Sequence, residues 1–243
     1  MRYGILSDIH ANLEAYEAVI GALKKEKINK IVIVGDLVGY GADPKACIKR
    51  TRFVTDMVVC GNHDRAAASL LDPEWFNRDA KEAVLWTAGL LDKAEQEFLK
   101  KISLICEDVN IIAVHGSLTD PQSFNYIFDA YQAGKTFLKM DNRPCFVGHS
   151  HYPLFFIKDK HGNIHTLTDK REIFLEQDNQ YIINTGSVGQ PRDGDNRASY
   201  VIYDVEHRHI VLKRTGYDIA KAQKKILTAQ LPEHLAYRLS EGR

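Results

Sequence analysis

The stretch CFVGHSHYPLF, from Cys145 to Phe155, places two histidines at the end of an apolar run. His149 and His151 are two residues apart, and residues at this spacing point to the same face of an extended chain. Two imidazoles side by side at a strand end are either solvated polar groups or ligands of a metal ion. The rest of the chain has to decide between these two interpretations.

Short apolar runs, rich in Val and Ile, recur along the chain, and a polar or glycine-rich turn follows each of them. Runs of this length that are apolar throughout are typical of strands buried on both faces. We therefore predict strands that lie inside the protein. The runs are YGIL (3–6), IVIV (31–34), MVVC (57–60), IIAV (111–114), CFV (145–147) and YII (181–183).

Helical patterns separate the early strands. Residues 12–27 carry an apolar stripe through Leu13 and Ile20, and Asn12 is well placed to cap the helix. Residues 80–102 also predict a helix, interrupted near its middle. The first half of the chain therefore alternates strand and helix, which predicts an α/β protein with a largely parallel sheet and helices packed on it.

The second half has a different pattern. Residues 155–167 predict a hairpin, residues 198–205 and 209–215 predict another, and residues 217–231 predict a closing amphipathic helix. No linker rich in Pro, Gly or Ser interrupts the chain. We therefore expect a single domain over residues 1–243, in which a second, more antiparallel sheet packs on the first.

The composition narrows the functional class. The 32 basic residues balance the 32 acidic ones, and this zero net charge argues against binding to nucleic acid or to an anionic membrane. No apolar stretch approaches the roughly 18–20 residues that span a bilayer. The four cysteines form no C-x-x-C pair, and the start MRYGILSDIH leaves no room for a secretory signal. We therefore expect reduced thiols and a cytoplasmic location.

Nearly every predicted strand is followed by a side chain that can bind a metal ion. Ligands of open α/β sheets bind outside the carboxyl ends of the strands, so these groups meet at one edge if the strands lie side by side. Each group alone has an ordinary explanation as a turn former or helix cap, but so many at one edge indicate a shared purpose. In chain order the groups are Asp8, His10, Asp36, Asn62, His63, Asp64, His115, His149 and His151.

The donor types indicate the class of metal. Imidazole and carboxylate without thiolate suit Mn, Fe, Zn, Co or Ni, and they argue against a structural zinc site built on cysteine. Seven of these nine groups are plausible ligands. Seven are too many for one ion, and they fit two ions that share one bridging carboxylate. Two divalent cations carry more positive charge than two carboxylates and a hydroxide remove. Such a centre attracts an anion such as phosphate.

The order Asp-x-His, Gly-Asp, Gly-Asn-His-Asp, His-Gly and Gly-His-x-His resembles the calcineurin-like metallophosphoesterases over about residues 5–205. The stretch NTGSVGQPRDGDNRASY (184–200) is similar to a branch of compact bacterial and archaeal phosphoesterases that includes diadenosine polyphosphate hydrolases and phosphodiesterases. The resemblance implies an α/β/β/α sandwich of two packed mixed sheets flanked by helices. It also implies hydrolysis of a phosphate ester or anhydride through a hydroxide that bridges two metal ions.

The resemblance also assigns roles, residue by residue. One divalent ion is held by Asp8, His10 and His151, the other by Asn62, His115 and His149, and Asp36 bridges them; Mn or Fe is favoured. His63 acts as the acid near the leaving group, and Asp64 orients it. The paired histidines of the opening stretch then have an explanation, because each of two neighbouring ions needs one.

Several other residues leave two interpretations open. Arg192 either binds a substrate phosphate or lies at the surface, and Tyr40 either stacks on a base of the substrate or covers the core. Asn184 and Ser187 are expected to support the ligating histidines. One or two of the aromatic side chains in residues 66–103 and 117–140 are expected to line a leaving-group pocket. These aromatic residues are Trp75, Phe76, Trp86, Phe124, Tyr126, Phe128 and Tyr131.

The expected substrate is a small phosphorylated, nucleotide-like molecule, with a dinucleotide polyphosphate as one candidate. The sequence leaves open whether the bond is a monoester, a diester or an anhydride, and it leaves the oligomeric state open. The alternative functions are a phosphoprotein (Ser/Thr) phosphatase and a non-catalytic scaffold of the same fold. The complete ligand set argues against the scaffold.

Overall fold

The computed structural model describes all 243 residues. Its strands are β1 (Arg2–Leu6), β2 (Lys30–Val34), β3 (Val58–Val59), β4 (Ile105–Glu107), β5 (Ile112–Val114), β6 (Cys145–Val147), β7 (Pro153–Lys158), β8 (Ile164–Leu167), β9 (Glu172–Phe174), β10 (Gln180–Thr185), β11 (Ala198–Asp204) and β12 (His209–Thr215). Its helices are α1 (Leu13–Lys24), α2 (Pro44–Val54), α3 (Asn62–Ala67), α4 (Arg78–Leu90), α5 (Lys93–Lys101), α6 (Ala130–Phe137), α7 (Ile219–Thr228) and α8 (Glu233–Glu241). No helix is both long enough and apolar enough to cross a lipid bilayer.

The strands form two six-stranded sheets, in the orders β3-β2-β1-β11-β12-β9 and β4-β5-β6-β10-β7-β8. Strands β1, β2 and β3 are parallel to one another, as are β5, β6 and β10, and the remaining pairs are antiparallel. This arrangement confirms the prediction of two packed mixed sheets. It corrects the expected division between them, because the hairpin β11–β12 extends the first sheet instead of joining the second.

The core explains why the apolar runs of the sequence do not alternate. Along β1, Tyr3 and Ile5 pack in the cluster between the two sheets, whereas Leu6 packs in the cluster beneath α1 and α2. On the other side, Phe156 of the second sheet packs against Phe137 of α6. Both faces of each sheet are therefore covered, and the layers are helix, sheet, sheet and helix.

The predicted helices are present with sharper ends. Asn12 caps α1 and accepts a hydrogen bond from the Ala15 amide at 3.1 Å. The predicted break in residues 80–102 separates α4 from α5, and Asp92 caps α5 by accepting a hydrogen bond from the Glu95 amide at 2.9 Å. The closing helix is α7, and α8 follows it after a turn.

Asn12 also ties two loops together at one end of the sandwich. Its side-chain amide donates a 2.8 Å hydrogen bond to the Gly189 carbonyl in the loop after β10. In the same place the Val188 amide donates to the Ser7 carbonyl, and the Gly189 amide donates to the Asp8 carbonyl, both at 2.9 Å. The loops after β1 and β10 are therefore held as one unit.

This double role of Asn12 can be tested against Asn77, which caps α4 by accepting a hydrogen bond from the Ala80 amide. Asn77→Ala should lower the free energy of unfolding by about 1 kcal/mol, as expected for a lost cap. Asn12→Ala should cost about 1–3 kcal/mol more, because it also leaves the Gly189 carbonyl without its donor. Urea denaturation of both variants measures the difference, and equal losses would contradict the loop-tying role.

Candidate metal centre

The side chains singled out in the sequence meet at one end of the sandwich. The parallel strands of each sheet all present their carboxyl ends there, and the two sheets face each other across the site. The expected single-sheet edge is therefore an end shared by both sheets. The first sheet contributes Asp8 and His10 after β1, Asp36 after β2, and Asn62 and His63 after β3; the second contributes His115 after β5, and His149 and His151 after β6.

Candidate ligand atoms lie close together in three overlapping sets, and within each set all ligand atoms are within 4.8 Å of one another. All of these residues are buried. Asp36 belongs to two of the sets, and so does His10. The sets are Asp8, His10 and His151; His10, Asp36 and His63; and Asp36, His115 and His149.

Backbone carbonyls determine which imidazole nitrogen faces the cluster. The Nδ1 atoms of His10, His115 and His151 lie 3.1, 2.7 and 2.6 Å from the carbonyl oxygens of Val38, Val34 and Gln190 respectively. A carbonyl accepts only from a protonated Nδ1, so in the neutral form of each ring the lone pair is on Nε2, where a metal ion can bind it. The Nε2 atoms of His10 and His151 lie 3.1 Å apart, a separation that an ion between them would relieve.

Several buried atoms at the site have no hydrogen-bond partner in the protein, and two of them, His115 Nε2 and Asn62 Oδ1, belong to expected metal ligands. His115 Nε2 lies 3.2 Å from Asp36 Oδ2 but is not aligned with it for a hydrogen bond. Buried polar atoms are almost always paired. Unpaired nitrogen and oxygen donors beside carboxylates therefore fit a divalent cation, and the absence of thiolate fits the borderline metals.

Asp36 lies between the two outer ligand sets. Its Oδ2 is 3.5 Å from His10 Nε2 and 3.2 Å from His115 Nε2, while its Oδ1 accepts a 3.0 Å hydrogen bond from the His63 amide. A Cβ atom at Gly61 would come within 2.0 Å of Asp36 Oδ1. Glycine is therefore required at residue 61 so that the loop after β3 can approach this carboxylate.

The buried charges perturb one another strongly. Burial and the neighbouring Asp36 raise the pKa of Asp8 to about 7. Burial also disfavours the charged form of Asp36, but the nearby imidazoles, that of His115 foremost, hold the pKa of its carboxyl well below the usual range. Burial opposes a charge on His115 as well, yet Asp36 and Asp8 raise its pKa to about 10. Protons therefore occupy part of the site when no metal ion is bound.

Most of the candidate ligands have a left-handed backbone conformation. This region is uncommon for residues other than glycine and costs about 1–3 kcal/mol per residue, and it persists where the surrounding structure imposes it. The chain has to turn sharply at each strand end to aim the side chain into the site. The residues and their φ angles are Asp8 (55°), His10 (49°), Asp36 (53°), His149 (67°) and His151 (61°).

His63 is enclosed by aromatic rings beside the ligand cluster. Its imidazole stacks on Phe76, with ring centroids 4.7 Å apart, and contacts the rings of Tyr40 and His10 at 4.5 and 4.9 Å. Its Nδ1 is buried without a hydrogen-bond partner. Burial lowers the pKa of His63 to about 4, so the ring is neutral near neutral pH.

Asp64 makes no hydrogen bond to the His63 side chain that it is predicted to orient. Its carboxylate accepts hydrogen bonds from the Gly61 amide at 3.0 Å and the Val38 amide at 3.2 Å. Asp64 sits in the first turn of α3, where a carboxylate satisfies free backbone amides. It therefore positions His63 only through the backbone.

Arg192 lies at the mouth of the site beside Tyr40. Its guanidinium donates to Gln190 Oε1 at 2.7 Å and to the Tyr40 hydroxyl at 3.4 Å, both neutral acceptors, and lies over the Tyr40 ring at 5.7 Å. Tyr40 is buried and packs on the core of α4, α7 and α8, so it both covers the core and lines the site. Gln190, not singled out in the sequence, also fixes His151 through its backbone carbonyl.

Two expected supporting residues bond to loops that carry ligands. The Asn184 side chain donates to the Gly148 carbonyl at 2.7 Å and to Ser150 Oγ at 2.9 Å, between the two paired histidines. Ser187 donates from its hydroxyl to the Asp8 carbonyl at 2.8 Å. They hold the backbone of these loops, and not the imidazole rings.

Two connected cavities open at the cluster. The inner cavity, about 200 Å³, is lined by ligands together with Tyr40, Trp75 and Arg192. The outer cavity, about 500 Å³, begins at Asn62 and His149. Its walls include Trp75, Phe76, Phe124 and Tyr126, so four aromatic residues of these two segments line the pocket, and not the expected one or two.

Comparisons with known proteins agree with this geometry. A family model for the calcineurin-like phosphoesterase superfamily domain matches residues 1–208. An uncharacterised protein from Methanocaldococcus jannaschii is 40% identical over 243 residues, which cover 98% of this chain and 97% of that protein. The crystal structure of a metallophosphoesterase from Sphaerobacter thermophilus is 37% identical with a TM-score of 0.88, over 100% of this chain and 99% of that one. A hypothetical protein from Pyrococcus horikoshii OT3, 20% identical, shares the fold with a TM-score of 0.77 over 100% and 98% of the two chains.

The chain therefore belongs to the calcineurin-like phosphoesterase superfamily, as the resemblance implied. It is a hydrolase of phosphate ester bonds from a metal-dependent family.

Metal binding should stabilise the protein measurably. Mn²⁺ at about 100 times its dissociation constant should add about 2.7 kcal/mol per site to the free energy of unfolding. For a chain of this size that raises the Tm by about 5–10 °C. Differential scanning calorimetry with Mn²⁺ or with a chelator measures the shift. Asp36→Asn should abolish most of the shift in Tm. Asp159→Asn should not, because Asp159 lies in the turn between β7 and β8 and belongs to none of the ligand sets. No shift with any divalent cation would exclude a metal centre here.

The affinity for the metal should rise with pH. Metal ligands must be deprotonated, and in the metal-free protein the pKa values of Asp8 and His115 are about 7 and about 10. Between about pH 6 and pH 8 Asp8 loses its proton, so less work is needed to bind the cation. Isothermal titration calorimetry in buffers of different ionisation enthalpy should show protons released with Mn²⁺ binding. A pH-independent affinity without proton release would contradict this electrostatic description.

Proposed function

We propose that the protein is a dinuclear-metal-dependent phosphoesterase that hydrolyses phosphodiester or phosphoanhydride bonds of a small nucleotide-like substrate. The observation that carries this proposal is the position of Asp36, whose Oδ2 lies 3.5 Å from His10 Nε2 of one proposed ligand set and 3.2 Å from His115 Nε2 of the other. One carboxylate shared by two sets of imidazoles is the arrangement of two-metal hydrolases. In this proposal residues 1–243 form a single domain that has this one activity.

The proposed ligands of one ion are Asp8, His10 and His151, and those of the other are Asn62, His115 and His149, with Asp36 between them. Two divalent ions, Mn or Fe by preference, supply the activation of the attacking water and the Lewis acidity toward the phosphoryl oxygens. The protein contributes a fixed geometry. The three Nδ1 contacts to backbone carbonyls orient His10, His115 and His151 before any ion arrives.

His63 is the proposed proton or hydrogen-bond donor to the leaving oxygen. Its pKa of about 4 makes it neutral near neutral pH, so it acts through the N–H of a neutral imidazole. Three rings hold it in place, and such positioning is what makes a hydrogen-bond donor to the leaving oxygen effective.

Arg192 is the proposed phosphate contact beside the metal ions. Its guanidinium donates only to neutral oxygens, so its charge is not neutralised by a carboxylate of the protein. Guanidinium geometry matches two phosphate oxygens at once. Tyr40 supports it through the hydroxyl contact and the ring beneath the cation.

The proposed role of His63 predicts a selective loss of turnover. With Mn²⁺ present, His63→Ala should lower kcat by about 10²–10⁴-fold for a phosphodiester with a poor leaving group. It should lower kcat less for bis-p-nitrophenyl phosphate, whose leaving group needs no proton. The exposed His207 gives a matched control, and His207→Ala should behave as the wild type.

Steady-state kinetics and metal analysis of both variants make the measurement, with chelator as the blank. Normal turnover of His63→Ala on the poor leaving group would remove His63 from the mechanism. Absence of chelator-sensitive turnover by the wild type on esters, anhydrides and a phosphopeptide would refute the proposed function. Turnover of the phosphopeptide alone would favour a phosphoprotein phosphatase.

A further inference from the structure

The outer cavity differs chemically from the inner one. The inner cavity holds Asp36, Arg192 and the histidines of the cluster, so it suits a charged phosphoryl group. The outer cavity has no Asp, Glu, Lys or Arg in its wall. It therefore suits an uncharged part of the substrate, and not a second phosphate or a basic peptide.

Four of the nine residues in the wall of the outer cavity are aromatic. Tyr126 stacks on His149, with the ring centroids 3.9 Å apart and the planes 10° apart, and Phe76 stacks on His63. Phe124 is buried beside them. Tyr126 also stacks on Phe128, with the ring centroids 5.2 Å apart. The ring of this aromatic slot that keeps a free face for a planar group is therefore Trp75, which stacks on no other ring of the protein.

Trp75 lines both cavities, yet most of its side chain is not covered by the protein. The side chain is 84% exposed, in the short turn Pro73–Trp75 that precedes α4. A tryptophan carries a large apolar surface, so a ligand that covered Trp75 at the edge of the site would gain affinity from the contact. Trp75 belongs to the walls of both the inner cavity and the aromatic slot, so a ligand that occupied both would contact it.

The loop of residues 120–124, which also contributes to the wall of the outer cavity, is held in a strained conformation. Asp120 and Phe124 have φ angles of 56° and 49° on either side of the turn Pro121–Ser123. A bulky residue such as phenylalanine rarely adopts positive φ unless its surroundings impose it. A Cβ atom at Gly116, the residue after His115, would lie 3.1 Å from the Phe124 Cα. The strained turn is thus packed directly on the loop that follows a candidate ligand, and it presents Gln122 at the rim of the slot.

We infer that the outer cavity is a nucleobase subsite, in which Trp75 stacks on the base of a nucleotide whose phosphate lies at the metal centre. This inference rests on the proposed function for the position of the phosphate. Stacking selects any base by its planar face, and the Gln122 amide offers one donor and one acceptor to the edge of the base. The volume of about 500 Å³ is within the usual range for a small-molecule site.

The test uses tryptophan fluorescence, because the chain has only two tryptophans, Trp75 and Trp86. Trp86 belongs to the packing of α4 against the C-terminal helices, and Trp86→Phe leaves Trp75 as the single reporter. The Mn²⁺-loaded variant is titrated with AMP and with ribose 5-phosphate, which carries the same phosphate without a base. AMP should bind about 5- to 100-fold more tightly and should quench Trp75, whereas ribose 5-phosphate should not.

Two variants of Trp75 complete the experiment, and the exposure of the side chain means that both should fold. Trp75→Ala should remove most of the preference for AMP in isothermal titration calorimetry, and Trp75→Phe should retain much of it. A dissociation constant for AMP no lower than that for ribose 5-phosphate would overturn the inference, including the case in which neither binds. So would tight AMP binding that leaves Trp75 fluorescence unchanged.

The outcome is separable from that of the proposed function. A protein that prefers AMP but hydrolyses no phosphate ester or anhydride would keep the base subsite and refute the enzyme mechanism. A protein that hydrolyses these bonds equally well with and without a base would keep the mechanism and refute the subsite.

Discussion

The structure depends on how it tolerates buried negative charge at one end of the sandwich. Asp8 and Asp36 are almost completely buried, and the imidazoles around them present lone pairs toward one another. An unpaired buried charge costs several kcal/mol even after relaxation. Without a metal ion, protons make up part of the deficit, because the pKa values of Asp8 and His115 are both raised. A divalent cation supplies the missing positive charge more completely, so folding, protonation and metal binding are linked equilibria at this site.

The same crowding shapes the backbone and joins the two sheets. His115 comes from the second sheet, and its Nδ1 bonds to the Val34 carbonyl at the end of β2 in the first. The His149 amide, also from the second sheet, donates to the Asp8 carboxylate at 3.0 Å. A Cβ atom at Gly148 would lie 1.8 Å from Ser7 Oγ, so only glycine lets these strand ends come so close. The left-handed conformations of the ligands follow from this geometry, and the packing of the core on both sides of the sheets offsets their cost.

Much of the fold and of the site could be predicted because both depend on local patterns. Fully apolar runs indicate strands covered on both faces, and polar residues after such runs converge wherever the strands are parallel. The assignment of strands to sheets could not be predicted, because the pairing of β11 with β1 joins residues about 200 apart in sequence. The start of helix α2 could also be predicted from the sequence, since Asp43 followed by Pro44 is a typical helix start. The contact between Tyr126 and His149 has no signal in the sequence, because it depends on the path of a loop.

Gln190 shows how the proposed phosphate contact and the metal centre are coupled. Its backbone carbonyl accepts from His151 Nδ1, and its side-chain oxygen accepts from Arg192. Its own amide is tied to Ser187 Oγ, and that hydroxyl donates to the Asp8 carbonyl. A short chain of hydrogen bonds therefore joins two candidate ligands of one ion to the guanidinium that we propose for phosphate. Since each bond fixes a direction as well as a distance, the guanidinium and these two candidate ligands keep a fixed arrangement. Such an arrangement would lower the entropy lost if the proposed phosphate contact and the metal centre bound the same phosphoryl group, which is the advantage of a preorganised site.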